Sequence, residues 1–263
     1  MKMKSISFTF LLPLFFFLIT SLLSAQSVDS LIQKGDALYK KFDNKGALTV
    51  FQKADKLYPN NWEVLWRLAR TYTDIAEHMP TSTDAQLDEQ EATYEKAVEF
   101  ADKSVAIAPD QAATYTRRAI AKGRLALFRG VFTGGVGLAN DVKDDCEKAI
   151  ALGNGGDELQ AIVHYVYARS HHKVSEKWAP ARAVLGLGWA DIDIAFEEYK
   201  KALKLDPDLM MIYADYAEAL ISEDEYDTAR EMLNKALKCP IRDEDDEKKI
   251  VEIKNRLKEI EDE

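Results

Sequence analysis

The chain has 263 residues, with 45 acidic side chains against 35 basic ones and a net charge of −10. That balance excludes the dense Lys and Arg surface that displaces counterions from nucleic acid, and it suits cationic or neutral partners. Two cysteines exclude a disulfide-built scaffold, while 47% hydrophobic and 30% charged residues suit a folded domain with a sizeable core.

The first predicted element stands outside the fold. Lys2 and Lys4 precede an uncharged apolar run over residues 6–23, and Leu23-Ser24-Ala25 offers small residues for cleavage. Residues 1–25 therefore read as a secretory signal peptide. An uncleaved membrane anchor is the alternative for a run of this length, which leaves membrane contact open. Gln26 stands where a lipoprotein needs cysteine. A chain starting there carries 33 basic and 45 acidic residues, a net of −12. The expectation is export to a bacterial periplasm or cell surface.

Beyond residue 26 one spacing recurs. It reads Gly35, Ala47, Phe51, Ala54, Pro59, then Ala195, Tyr199, Ala202, Pro207, then Ala217, Ala229, Leu233, Ala236 with Pro240 just after. Two helices of a hairpin close tightly only where side chains are short, and the proline stops the second helix. This is the signature of the 34-residue tetratricopeptide repeat. It predicts an all-α fold, a right-handed α-solenoid of helix hairpins forming one domain over 26–263.

Repeat one spans about 28–61, with Leu31, Gly35 and Leu38 on its first helix and a turn at 43–46. Repeat two, 62–111, carries Leu65, Leu68, Ala69 and Tyr72 at helical spacing, then Ala97, Ala101 and Pro109. It is about 16 residues longer than the standard unit, and its polar stretch 78–90 reads as helix extensions plus an exposed loop from Pro80. Repeat three, 112–156, has Tyr115, Ala119, Cys146 and Ala149, a Gly-rich connection at 130–141, and no closing proline. Asn140, Asp141, Asp144 and Asp145 read there as an N-cap and first helical turn. Repeat four, 157–209, has a long apolar connection at 177–191, and repeat five spans 210–242. Ile250, Ile253, Leu257 and Ile260 share one face of a capping helix over 243–262.

Residues 63–77 (EVLWRLARTYTDIAE), 94–110 (YEKAVEFADKSVAIAPD), 196–208 (FEEYKKALKLDPD) and 235–249 resemble the regulator of microtubule dynamics family. The resemblance covers most of residues 60–260. It implies an all-helical repeat protein that is not an enzyme. Eukaryotic members are linked to microtubules and organelle contacts, a role not expected to transfer to an exported bacterial chain.

First helices of such repeats line a concave groove. Trp66 with Arg70, and Tyr165 with Arg169, place an aromatic and a guanidinium one turn apart on one face. Arg117 and Arg124 add charge nearby. Such pairs suit a carboxylate, a phosphate or a peptide C-terminus; the alternative is that Trp66 packs and the arginines pair internally. The apolar connections form a second candidate, a pocket or lipid-facing lip of Phe128, Phe132, Trp178, Leu185 and Trp189, unless these residues simply cover one another.

His164 and His171 lie two turns apart, too far to share an ion, so they and His172 read as packed or solvated, and no metal or cofactor is expected. An exported chain could join Cys146 and Cys239 as a disulfide, but their spacing does not make them neighbours, so they read as half-buried free thiols. No phosphate loop, G-x-S-x-G or H-E-x-x-H motif is present. The expected function is a non-enzymatic scaffold or adaptor for a protein or peptide partner. The alternative is a carrier of a lipid or other apolar molecule in the groove or beneath the apolar connections.

Overall fold

The structure, a computed structural model, describes residues 27–130 and 134–263. The expected signal segment and Phe132 lie outside the described residues. Among those described, every regular element is helical. In chain order these are α1 (Val28–Tyr39), α2 (Asn44–Leu57), α3 (Trp62–Glu77), α4 (Asp84–Ile107), α5 (Ala112–Arg129), α6 (Val136–Leu152), α7 (Gly156–Ser175), α8 (Ala179–Val184), α9 (Ile192–Leu205), α10 (Met210–Ile221), α11 (Tyr226–Ala236) and α12 (Asp246–Glu259). No described helix is long and apolar enough to cross a membrane.

Capping residues set many of the starts. Ser27, Asp43, Asn61 and Thr83 each accept a hydrogen bond from a backbone N–H in the first turn of α1, α2, α3 and α4. Asp191 does the same for α9. At its far end α6 stops at Gly153, whose φ of 61° suits glycine in the left-handed region.

The helices stack as hairpins: α1 on α2, α3 on α4, α5 on α6, α7 on α9 and α10 on α11, with α12 against the last pair. Close approach explains the small residues. A Cβ at Gly35 would stand 2.3 Å from the Phe51 ring, which is fully buried between Ala47 and Ala54. Equivalent packing recurs where Tyr199 sits with Ala195, Ala202, Met210 and Ala217. The C-terminal core is closed by Ile253 and Ile260 of α12.

The polar stretch in repeat two is helix extension plus an exposed loop from Pro80, as expected: α4 starts at Asp84 and runs for 24 residues. Three other local expectations are revised. In the Gly-rich connection α6 already starts at Val136, so Asn140 and Asp141 sit in its second turn and do not cap it. Asp145 is buried and grips Arg118 through both its oxygens, at 2.8 and 2.6 Å. The apolar connection of repeat four contains α8, with Pro180 in its first turn. Of the two free cysteines, Cys146 is fully buried and only Cys239 is half-buried.

Candidate binding groove

First helices face a concave cavity of about 830 Å³. Arg70 from α3, Arg117 and Arg124 from α5, and Tyr165 and Arg169 from α7 all line it. Trp66 stands behind them as a platform. The guanidinium carbons of Arg67, Arg70 and Arg117 lie 4.1, 5.1 and 5.3 Å from its ring centroid. Arg70 also stacks over Tyr39 at 3.5 Å. Cations over aromatic faces gain electrostatic attraction and hold a fixed orientation.

Both aromatic–arginine pairs are tied internally. Arg70 meets Asp36 at 2.9 Å. Tyr165 donates its hydroxyl to Asp215 at 2.6 Å, and Arg169 Nε lies 2.9 Å from the same carboxylate, close but poorly aligned for a hydrogen bond. Arg124 pairs with Glu77 at 2.8 Å. Arg117 differs. No carboxylate among the described residues forms an ion pair with it, and its buried Nε has no hydrogen-bond partner. Burial, then the charge of Arg70, lowers its pKa to about 10.

The acid facing it is Asp74. Burial lifts Asp74 to about 6, against the opposing pull of the Tyr39 hydroxyl, Arg70 and Arg117. Tyr39 is pushed upward by its own burial and by Asp74. Asp74 Oδ2 is buried without a hydrogen bond. The groove wall thus holds a cation and an acid that are both desolvated, with donor capacity unused on the cation.

Among the described residues, the apolar connections do not form one pocket. Phe128 packs with Tyr94 and Leu125, at 5.8 Å between the two rings. Leu185 and Trp189 pack with Ala139, Val174 and Leu187. Trp189 donates its indole N–H to Asn140 at 2.7 Å, which joins the two connections. Trp178, 74% exposed, stands apart on the surface. The histidines are taken up by packing: His164 pairs with Glu198, and His171 and His172 are buried in α7. Tyr39, Asp74, His78 and Asp215 complete the groove and were not anticipated, because each meets its partners only through the superhelix.

The family model for regulator of microtubule dynamics proteins 1-3 matches residues 31–261. No curated protein matches the chain in sequence. Among solved structures it is similar to TTC0263, a thermophilic tetratricopeptide-repeat protein of Thermus thermophilus. The identity there is 22%, over 86% of this chain and 98% of that one, with a TM-score of 0.63. It is also similar to PilW, a type IV pilus biogenesis factor, at 14% identity over 80% and 76% of the two chains, TM-score 0.56. The pilF protein of Pseudomonas aeruginosa matches at 14% identity over 89% and 88%, TM-score 0.54. At these identities the likeness speaks to the fold, a tetratricopeptide-repeat solenoid.

Proposed function

We propose that this chain, which belongs to the regulator of microtubule dynamics family, is a non-enzymatic interaction scaffold whose concave groove takes an extended peptide bearing an acidic group. The observation that carries this reading is Arg117. It lines the groove on an aromatic platform, and its Nε donor is buried and unmet. A buried donor left unmet costs about 1–3 kcal/mol, so an incoming carboxylate recovers that penalty and adds a charge-assisted bond. The apolar run at residues 6–23 supports placing this scaffold outside the cytoplasm.

The test is a random-peptide array probed with the protein and with Arg117→Met, which keeps an apolar stem over Trp66. Peptides with acidic side chains or a free C-terminal carboxylate should be enriched on the unaltered protein. The substitution should weaken them by tenfold or more, the worth of one charge-assisted bond of about 1.5–3 kcal/mol. Equal binding of the same peptides by both proteins would sink the reading.

A further inference from the structure

The groove has one wall that is not a repeat. After α11, residues 240–246 run back across its mouth and end on the first residue of α12, and Asp243, Glu244, Asp245 and Asp246 all line the cavity. The segment is rooted on the C-terminal half. Arg242 places one guanidinium nitrogen 2.9 Å from both oxygens of Asp206, at the end of α9. Asp246 accepts from the backbone N–H groups of Arg242 and Asp243, at 2.8 Å each, which stiffens the turn.

The far side of the segment reaches the first two repeats. Asn44 Nδ2 donates to Glu244 at 2.6 Å, across 200 residues of chain. His78 Nε2 lies 2.9 Å from Glu244 and 3.3 Å from Asp245. These contacts turn an open stack into a closed ring.

The two nitrogens of His78 specify its charge. Nδ1 lies 2.7 Å from the carbonyl oxygen of Asp74, which can only accept, so Nδ1 carries hydrogen. Nε2 faces two carboxylates, which when ionised also only accept, so Nε2 carries hydrogen as well. Both conditions hold only for the imidazolium. A neutral ring would aim a lone pair either at the carbonyl or at the two carboxylates.

We propose that residues 240–246 are an acidic strap latched over the groove by the His78 imidazolium, and that rising pH discharges His78, releases the strap and opens the groove. That the opening admits a partner rests on the groove reading above; the latch does not. The strap carries the same charge as the expected ligand, so while closed it competes for the groove.

The groups facing the latch agree in sign. From α3, His78 meets the Asp74 carbonyl. From the strap it meets Glu244 and Asp245, with the charge of Asp243 close by. From α2 the neighbouring side chain is Asn44, which carries no charge. Burial opposes the His78 charge, but the Asp74 carbonyl, Asp245 and Glu244 outweigh it and hold its pKa above the ordinary value. Burial also raises Asp243 and Glu244, helped by their acidic neighbours and only partly offset, for Asp243 by a backbone hydrogen bond and for Glu244 by His78. The closed form therefore holds these protons more tightly than the open form. Closure is complete below the ordinary histidine range, near 6.5, and is lost as pH climbs through the raised His78 value. Among the described residues, the hydrogen bonds and ion pairs that tie the strap to the first two repeats are those of Asn44 and His78, and release breaks these. Stacked repeats, each held mainly by its neighbours, can absorb the movement as a small change of curvature.

The test needs no ligand. Nitroxides are placed by Lys41→Cys and Lys248→Cys, both exposed positions outside the latch, in a Cys239→Ser background; Cys146 is fully buried and stays unlabelled. Electron–electron distances are read at about pH 5.5 and about pH 8.5, on either side of the histidine range. The expected result is one short distance at low pH and a longer, broader distribution at high pH. His78→Leu should give the broad distribution at both. Glu244→Gln with Asp245→Asn should give the short one at both, because an amide can meet Nε2 as acceptor or as donor. A distance unchanged by pH in the unaltered latch, or a pH response that survives in His78→Leu, overturns the proposal. Failure of the peptide array with this response intact removes only the partner reading.

Discussion

At Gly35 one missing carbon decides a packing layer. A Cβ there would stand 2.3 Å from Phe51 Cε1, and the Phe51 ring, fully buried, has nowhere to turn. Gly35→Ala gains up to about 1 kcal/mol of helix propensity. It loses about 1–3 kcal/mol to overpacking. The expected outcome is a net destabilisation, between about 0 and 3 kcal/mol by urea unfolding, the overpacking loss less the propensity gain. A stabilised variant would show that α1 can shift off α2. The same logic applies at Gly135, where a Cβ would meet the carbonyl oxygen of Ala126 at 2.7 Å. There the glycine lets the end of α5 and the start of α6 touch.

Elements place like side chains in opposite charge states. His78, at the end of α3, has acceptors at both nitrogens, whereas His171 of α7 accepts the Asp191 N–H on Nδ1 at 3.1 Å, which requires a neutral ring. Burial lowers His171, and lowers its neighbour His172 to about 4. For both, the unfolded chain binds protons more readily than the fold. Stability is therefore full above the ordinary histidine value and falls as pH drops below about 6.5, for His172 down to about 4, by up to about 1.4 kcal/mol per pH unit for each proton. His78 contributes with the opposite sign, so the measurement belongs in a His78→Leu background. Urea midpoints from pH 7.5 to 4.5 should fall less steeply once His171 and His172 are replaced by Gln. Parallel slopes would show that neither ring titrates on unfolding. The element scale is also where the sequence misleads. The Ala, Gly and Pro spacing is legible because hairpin closure is local. The string GGVGLAN reads as loop on propensity, yet it is helix from Val136 onward because Val136 and Ala139 pack against Leu187 and Ala190. Arg70, Tyr165 and Arg169 are legible as groove residues from their one-turn spacing, whereas Trp66, expected beside them, sits behind the arginines and does not line the cavity. Arg117, though named, gives no sign in sequence that its buried Nε lacks a partner, because that depends on which carboxylates the superhelix brings near it.

At the scale of the molecule, a solenoid passes stability mainly between neighbours, so damage at one end should stay there. The strap breaks that rule. It continues directly into α12, whose Ile253 is buried against α10 and α11, and it ends on Asn44 and His78 in the first two repeats. None of this is periodic, which is why repeat spacing could predict the stack but not its closure. Ile253→Ala should cost about 2–5 kcal/mol locally. In hydrogen exchange, corrected for intrinsic rates, protection in α11 and α12 should drop at both high and low pH. Protection in α2 and α3 should drop only at low pH, where the latch couples the two ends. A loss confined to the C-terminal helices at every pH would mean that the strap rests on the first repeats without bearing on their stability. A loss that reaches α2 and α3 equally at both pH values would mean that the coupling runs through the stack itself and not through His78.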